Sequence, residues 1–318
     1  MAITLEDVRK ASERIRPFAR RTPVMTSKSV DGRAEASVFL KCENLQRGGA
    51  FKIRGAANFV FSIPKQDLPR GVVAFSSGNH AQAVALAAQL AGTRATIVMP
   101  SDAPKSKVEG TRARGAEIVM YDRFKEDREA IGARIASETG ATLVPPYDHE
   151  WIMAGAGTAA VELLESAPDL EALLVCVGGG GLISGSAIAA KSIRPSIRVF
   201  GVEPELANDT FQSFAAGRRI GIAPPETIAD GLRSPMPGAL TFPVIKEWVE
   251  SILLVSEEEI LETMRFLLLR MKILVEPSGA VAAAAALYRK FPPEFEQVGV
   301  IVSGGNVDPD LIAAVVGG

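Results

Sequence analysis

From Gly71 to the end of the chain, short apolar runs alternate with helical patterns, and this rhythm leaves few architectures open. Gly71–Phe75 precedes the helical Ala81–Ala91, Arg94–Met99 precedes Lys105–Ala113, Ala116–Tyr121 precedes Asp127–Ser137, and Ala141–Val144 leads toward Trp151–Leu164. Farther on, Ala172–Val177 precedes Leu182–Lys191, Ile197–Val202 precedes Thr210–Ala215, Ile252–Val255 precedes Glu257–Met271, and Val298–Val302 precedes Leu311–Val316. Strand–helix alternation of this kind predicts an α/β fold with parallel strands. The strand runs are continuously apolar, as when helices bury both faces of a sheet. Proline breaks at Ile63-Pro64 through Leu68-Pro69 and at Pro145-Pro146 set off four successive strand–helix units. They predict a compact subdomain over 71–148, inserted into a larger domain made of 1–70 and 149–318. At the chain start, Thr4 and Asp7 read as a helix N-cap pair before a stripe of Leu5, Val8, Ala11 and Ile15.

Composition excludes several kinds of chemistry. In 318 residues, 35 basic side chains face 37 acidic ones, a formal charge of −2, which gives no reason to expect a nucleic-acid surface. Two cysteines (Cys42, Cys176) and two histidines (His80, His149) are too few for a disulfide framework or a Cys/His zinc site. A Ser-His-Asp arrangement would have to use one of those two imidazoles. Acids in the first turn argue against a signal peptide. The longest apolar runs fall far below the roughly 18 residues of a membrane span. The chain reads as soluble and cytoplasmic.

Three small-residue loops directly follow predicted strands: Ser76-Ser77-Gly78-Asn79-His80, Gly178-Gly179-Gly180-Gly181 and Ser303-Gly304-Gly305-Asn306. Open α/β sheets bind ligands at that edge. Four successive residues without Cβ let the backbone approach a ligand and aim several N–H groups at it, and the helix starting near Leu182 adds its positive end. This predicts an anion site, above all for a phosphate. A tight turn packed on a neighbour is the other reading, but it needs fewer glycines. The run fails the G-x-G-x-x-G spacing, and no lysine follows it as in a Walker loop. Gly155-Ala156-Gly157-Thr158-Ala159-Ala160 fits G-x-G-x-x-A, yet it sits inside a helical pattern and not after a strand. Dinucleotide and ATP chemistry therefore drop down the list.

Lys52 stands at the start of a helical stretch, among Phe51, Ile53 and Ala56 and just after Gly48-Gly49. A lysine desolvated there would have a lowered pKa and suit Schiff-base formation with a carbonyl. Taken alone, an ordinary surface lysine is the plainer reading.

Together, Gly49–Ala56, Ser76–Ala83, Gly178–Gly181 and Ser303–Asn306 occur in the order seen in fold-type II pyridoxal-phosphate enzymes. The chain resembles their serine/threonine dehydratase branch, nearest the group containing serine racemase and threo-3-hydroxyaspartate dehydratase. Met120–Arg123, Pro145–His149, Pro225–Gly231 and Glu276–Gly279 extend the resemblance, which runs from about Pro23 to Asp308. It implies two open, mostly parallel sheets flanked by helices, as in tryptophan synthase β, with 71–148 as a small mobile substrate domain.

The resemblance also implies roles. Lys52 would hold the pyridoxal phosphate and act as base on one face of the substrate, with Phe51 beside the cofactor. Asn79 would bond the ring hydroxyl, the four glycines and the Leu182 amide the phosphate, and Ser303 the pyridine nitrogen. A neutral hydroxyl at Ser303 makes the ring a weak electron sink, which favours β-elimination over transamination. Ser76, Ser77, Asn79 and His80 would meet the substrate. Ser77 would either exchange a proton on the face opposite Lys52 or only bind the substrate carboxylate. The His80 ring would only cap or pack. Glu203, Asp209 and the Ala207 carbonyl would hold Mg²⁺ or Ca²⁺, where the residues alone would read as a solvated acidic loop. The implied activity is dehydration of serine, threonine or 3-hydroxyaspartate to a keto acid and ammonia, with serine racemisation as a sibling, in a homodimer. A non-catalytic amino-acid-binding protein on the same scaffold is the alternative. Three positions depart from the family pattern: Ala156 replaces glutamine, Gly48 replaces threonine, and Arg47-Gly48 replaces the Lys-Thr of nucleotide-activated racemases. Nucleotide activation is therefore not expected. Arg128 matches a residue at the substrate's far end, but within Lys125–Glu129 it reads as part of a solvated helix face.

Overall fold

The strands of the chain are β1 (Val24–Met25), β2 (Ser37–Cys42), β3 (Val72–Phe75), β4 (Ala95–Pro100), β5 (Glu117–Tyr121), β6 (Thr142–Leu143), β7 (Ala172–Cys176), β8 (Arg198–Pro204), β9 (Ser251–Val255) and β10 (Gln297–Val302). They form two sheets, of order β1-β2-β10-β7-β8-β9 and β5-β4-β3-β6. Among the described residues, β1–β2 is the one antiparallel strand pair. The computed structural model describes residues 3–76, 78–103 and 105–317, without the side chains of Lys105 and Ser106.

Burial follows position in the sheet. β3 and β7 are buried at every residue, as interior parallel strands under helices should be, whereas the edge strand β5 is buried only at Tyr121. The first helix, Leu5–Ile15, opens on a reciprocal capping box between Thr4 and Asp7, and buries Val8, Ala11 and Ile15. Pro277–Leu287, an alanine-rich helix buried along its whole length, packs against β7, β8, β9 and β10. Strands β3 to β6 all lie between residues 72 and 143, but the core beneath them also takes in Ile15, Ile53, Ala56 and Phe59. The alternation read from Gly71 onward gives no hint of β1 and β2. β8 also runs two residues past the expected end, to Glu203 and Pro204.

The Gly155-Ala156-Gly157 match is helix packing. It lies within the Glu150–Ser166 helix, against Gly181–Ile193. A Cβ at Gly157 would sit 2.5 Å from the Gly185 carbonyl oxygen, and one at Gly155 would sit 2.4 Å from that of Arg54. Ala156, in the glutamine position of related sequences, is buried in the same contact layer. Among the described residues, no helix is long and apolar enough to cross a membrane.

Inserting β10 between β2 and β7 determines where a ligand can go. The loops after these three strands (43–51, 303–306 and 177–181) leave neighbouring strand ends at the C-terminal edge of the sheet, the usual ligand edge of such folds.

Candidate active site

A cavity of about 670 Å³ opens at that edge, lined by Phe51, Lys52, Ser76, Asn79, His80, Gly178 to Gly181, Leu182 and Ser303. Three loops and one helix start thus bring together all but one of the residues expected at the cofactor and substrate. Ser77 lies outside the described residues.

Lys52 is the first residue of the Lys52–Val60 helix. The chain entering it is stitched to the 303–305 loop: Phe51 N–H donates to the Ser303 carbonyl at 3.0 Å, and Gly305 N–H to that of Gly49 at 2.8 Å. Its Nζ donates to the Pro146 carbonyl at 2.9 Å. Burial lowers its pKa to about 8, opposed by the electrostatic influence of the neighbouring Cys176 and Glu276. Near neutrality a useful fraction of this amine is therefore unprotonated, as a nucleophile or base requires.

Asn79 opens the Asn79–Ala91 helix, and both ends of its amide are committed. Nδ2 donates to Glu276 Oε1 at 2.6 Å, while Oδ1 accepts from Asn306 Nδ2 at 2.8 Å. Asn306 Nδ2 also reaches the Gly48 carbonyl at 2.8 Å. Glu276 is buried, and burial, with the Asp230 charge, pushes its pKa up to about 8 against the Asn79 hydrogen bond and the Lys107 and Lys52 charges. Ser303 is also buried and donates to the Ser278 carbonyl at 3.3 Å. The neighbouring Cys176 thiol is pushed by burial up to about 11 and stays protonated, so the floor beside Ser303 is neutral.

The tetraglycine joins β7 to the Gly181–Ile193 helix, with Gly180 in the left-handed region at φ +94°. Both readings of this loop hold in part. A Cβ at Gly179 would lie 2.3 Å from the Tyr147 ring, and Thr241 Oγ1 donates to the Gly179 carbonyl at 2.7 Å, so one side is packed. The N–H groups of Gly178, Gly179, Gly180 and Leu182, however, meet no acceptor among the described residues. Free N–H groups at a helix start form an anion cradle.

The His80 ring hydrogen-bonds the Val144 carbonyl at 3.0 Å, and burial, with the Lys52 charge, lowers its pKa to about 3. The imidazole is neutral, with its proton on Nε2. It packs, as expected, and does not supply charge. Ser76 Oγ accepts from Gly78 N–H at 3.2 Å and shapes the turn. At the rim, Arg123 pairs with Asp102 at 2.7 Å and Lys107 pairs with Asp230. Arg128 is exposed, as its helix-face reading had it, but it also lines the cavity, 5.6 Å from the Phe75 ring. Among the described residues, no carboxylate pairs with it.

Glu203, Ala207 and Asp209 form a separate buried group at the end of β8. Glu203 accepts the Thr210 N–H at 3.1 Å and the Phe211 N–H at 2.8 Å, whereas both Asp209 carboxylate oxygens are buried with no hydrogen-bond partner among the described residues. Burial raises the Asp209 pKa to about 7, and burial with the Asp209 charge raises that of Glu203 well above the ordinary carboxylate range. An orphaned buried carboxylate beside a second one fits a hard cation with oxygen ligands. Among the described residues, no third His, Cys, Asp or Glu joins them, which leaves carbonyl oxygens and water to complete a shell.

Sequence reasoning assigned no role to Glu276, Asn306 or Tyr147. Each lies in a stretch that carries the family resemblance (Glu276–Gly279, Ser303–Asn306 and Pro145–His149), but beyond that their signal is position: Glu276 precedes the helix-starting Pro277, Asn306 ends a glycine loop, and Tyr147 follows a proline pair.

Residues 15–304 match the family model described as "Pyridoxal-phosphate dependent enzyme". A serine racemase of Schizosaccharomyces pombe is 50% identical over 310 residues, covering 98% of this chain and 96% of that one. An L-threo-3-hydroxyaspartate ammonia-lyase of a Pseudomonas species is 51% identical over 312 residues, covering 98% of each chain. Maize serine racemase superposes with a TM-score of 0.96 at 44% identity, covering 99% of this chain and 97% of that one. The cavity with its buried amine and anion cradle is thus found in a chain that belongs to the pyridoxal-phosphate dependent enzymes of fold type II.

Proposed function

We propose that the chain dehydrates small β-hydroxy amino acids to a keto acid and ammonia, with pyridoxal phosphate held covalently at Lys52. The observation that carries this reading is the amine of Lys52, its pKa drawn down to about 8 in a cavity that also holds unfilled backbone N–H groups. When bound, the cofactor supplies an electron sink that acidifies the substrate Cα–H. The residues present fit it. The N–H groups of Gly178–Leu182 meet the phosphate, Ser303 Oγ the ring nitrogen, and Asn79, oriented by Glu276 and Asn306, the ring hydroxyl. Ser303 would have to turn its one hydroxyl hydrogen from the Ser278 carbonyl to the ring nitrogen. A neutral hydroxyl, with no carboxylate bonded to it among the described residues, would leave that nitrogen unprotonated and the electron sink weak. This favours loss of the β-hydroxyl over long-lived carbanion chemistry.

Displaced by the substrate amine, Lys52 Nζ would accept the α-proton and pass it to the β-hydroxyl. The Cα–H electron pair would become the Cα–Cβ double bond, and the Cβ–O bond would break with its electrons leaving on oxygen as water. The proton taken at carbon and the one given at oxygen balance. The released enamine then hydrolyses to keto acid and ammonia. Ser76, Ser77, Asn79 and the His80 backbone meet the substrate carboxylate. By the family resemblance, Ser77 would exchange a second proton, which makes racemisation of serine a side activity. Among the three candidates we favour 3-hydroxyaspartate, because its second carboxylate would find Arg128, a cation at the rim with no acidic partner among the described residues. Glu203, Asp209 and the Ala207 carbonyl hold Mg²⁺ or Ca²⁺. Segment 71–148 closes over the substrate and two copies form a homodimer, to be measured by solution scattering with and without substrate and by sedimentation. Free, buried Cys42 and Cys176 suit a reducing compartment, and we assign the protein to the cytoplasm, which fractionation of the source cells tests.

Purified protein with added pyridoxal phosphate should show a visible absorption band, lost in Lys52→Ala. Serine, threonine and 3-hydroxyaspartate are then compared for keto acid and D-isomer. Arg128→Met should lower kcat/KM for 3-hydroxyaspartate by about 10- to 100-fold, the worth of a charged hydrogen bond, and leave serine nearly unchanged. A band that survives Lys52→Ala overturns the reading, and equal losses on both substrates overturn the role of Arg128. Loss of D-serine with pyruvate release spared in Ser77→Ala supports the second proton site, and equal losses refute it.

A further inference from the structure

Beside the segment that carries Lys52, the protein buries four side chains that ordinarily carry charge. Arg54 and Glu43 have fully buried side chains, Lys41 is 1% exposed and Glu162 16%. Arg54 forks onto Glu43 (Nε to Oε2 2.7 Å, Nη2 to Oε1 2.8 Å) and onto Glu162 (Nη1 to Oε1 2.8 Å, Nη2 to Oε2 2.8 Å). Its Nη1 also donates to Thr158 Oγ1 at 3.0 Å, and Nη2 to the Arg20 carbonyl at 3.2 Å, so all five N–H donors are used. Lys41 Nζ donates to Glu162 Oε2 and to the Thr22 carbonyl, both at 2.6 Å. Thr22 Oγ1 donates to Glu43. Gln46 holds the Arg20 and Arg47 N–H groups on its Oε1, each at 2.8 Å.

Such a network is costly to desolvate, and a well-packed apolar cluster of similar volume is often as stable. What charges add is direction, because a guanidinium paired in two forks admits one orientation. The connections meet at one place. Glu43 and Gln46 lie upstream of Lys52, just after β2, and Arg54 lies two residues downstream in the same helix as Lys52. Residues i and i+2 of a helix point about 200° apart, so Lys52 can enter the cavity while Arg54 points away from it. The Glu150–Ser166 helix, which carries Thr158 and Glu162, presses on the Arg54 backbone through Gly155.

We propose that Arg54 is a positioning residue for Lys52. Its forks to Glu43 and Glu162 clamp the chain on both sides of the lysine and fix where Nζ stands. The inference rests on the reading of Lys52 as the cofactor lysine.

The test uses the full-length protein loaded with pyridoxal phosphate. Arg54→Lys keeps the charge and loses the fork. We expect it to fold by far-UV circular dichroism and still bind the cofactor. Its visible circular dichroism band should weaken, the pH midpoint of its absorption band should move, and kcat should fall about 10- to 100-fold with KM within about threefold. A merely structural role would lower the melting temperature and leave the band, the midpoint and the turnover of the folded fraction as in wild type, and that result overturns the proposal. Should Arg54→Lys fail to fold, the near-isosteric Thr158→Val carries the same decision, with smaller changes in the same sense supporting the clamp and none refuting it. A wild-type band that survives Lys52→Ala sinks the reading of Lys52, and the clamp with it. A band lost in Lys52→Ala but unchanged in a folded Arg54→Lys sinks the clamp alone.

Discussion

The buried carboxylates at the end of β8 make the sharpest prediction about stability. Asp209 moves from an ordinary value of 3.8 to about 7 in the folded chain. A difference of about 3 pH units, at about 1.4 kcal/mol each, is on the order of 4 kcal/mol. The sign follows from the direction. A raised pKa means that the folded state holds the proton more tightly, so this contribution is present below about pH 4 and is lost as pH rises through 7. Glu203 is raised as well and acts in the same sense. In the presence of a chelator, Asp209 should therefore lower the melting temperature between pH 4 and 8, by on the order of 5 °C. Mg²⁺ or Ca²⁺ added at pH 8 should restore it, because the cation takes the place of the proton. Other groups titrate in this range. Glu276 is raised to about 8 and has the same sign, whereas His80, lowered to about 3, stabilises as pH rises towards 6.5. The diagnostic quantity is thus wild type minus Asp209→Asn, in which the amide removes the charge and leaves the shape. Scanning fluorimetry of both proteins across pH, with chelator and with each cation, measures it. Parallel pH profiles for the two proteins, or an equal cation response in both, would refute the reasoning.

Two further predictions concern the amine and the helix seam. With the pKa of the free Lys52 amine lowered to about 8, and that amine free only after substrate has displaced it, kcat for elimination should rise about tenfold per pH unit up to about 8 and then level. A profile still rising towards pH 10 would mean that the amine is solvated. Gly157→Ala would put a methyl group 2.5 Å from the Gly185 carbonyl oxygen, backbone on backbone, and should cost about 1–3 kcal/mol in denaturant unfolding. A neutral result would show that the two helices part easily.

Legibility in the sequence tracked how local each cause is. β3 and β7 could be read because strands buried on both faces are continuous apolar runs, and each is followed by a helix. β1 escaped because two residues carry no period, and its pairing with β2 is set by the rest of the sheet. At the site, the glycine loops could be seen because absent side chains are themselves the signal. Glu276 could not, since its meaning depends on an amide 197 residues away.

The same residue type serves opposite ends in this chain, and only context separates them. Glycines 178–181 follow a strand and leave N–H groups without acceptors, whereas Gly155, Gly157 and Gly185 lie inside helices and let backbones touch. The cations divide in a similar way. Lys52 and Arg54 stand two positions apart on one helix, and a sequence pattern treats them alike. Among the described residues Lys52 Nζ has one carbonyl acceptor and loses proton affinity, whereas Arg54 receives two carboxylates that outweigh its burial and keep it charged. Solvation and partners, set by folding and not by residue type, make the first a candidate for chemistry and the second a candidate for holding it in place. Exchanging the two residue types should therefore abolish cofactor binding while conserving the net charge. A swapped protein that still showed the visible band would mean that neither environment governs its cation.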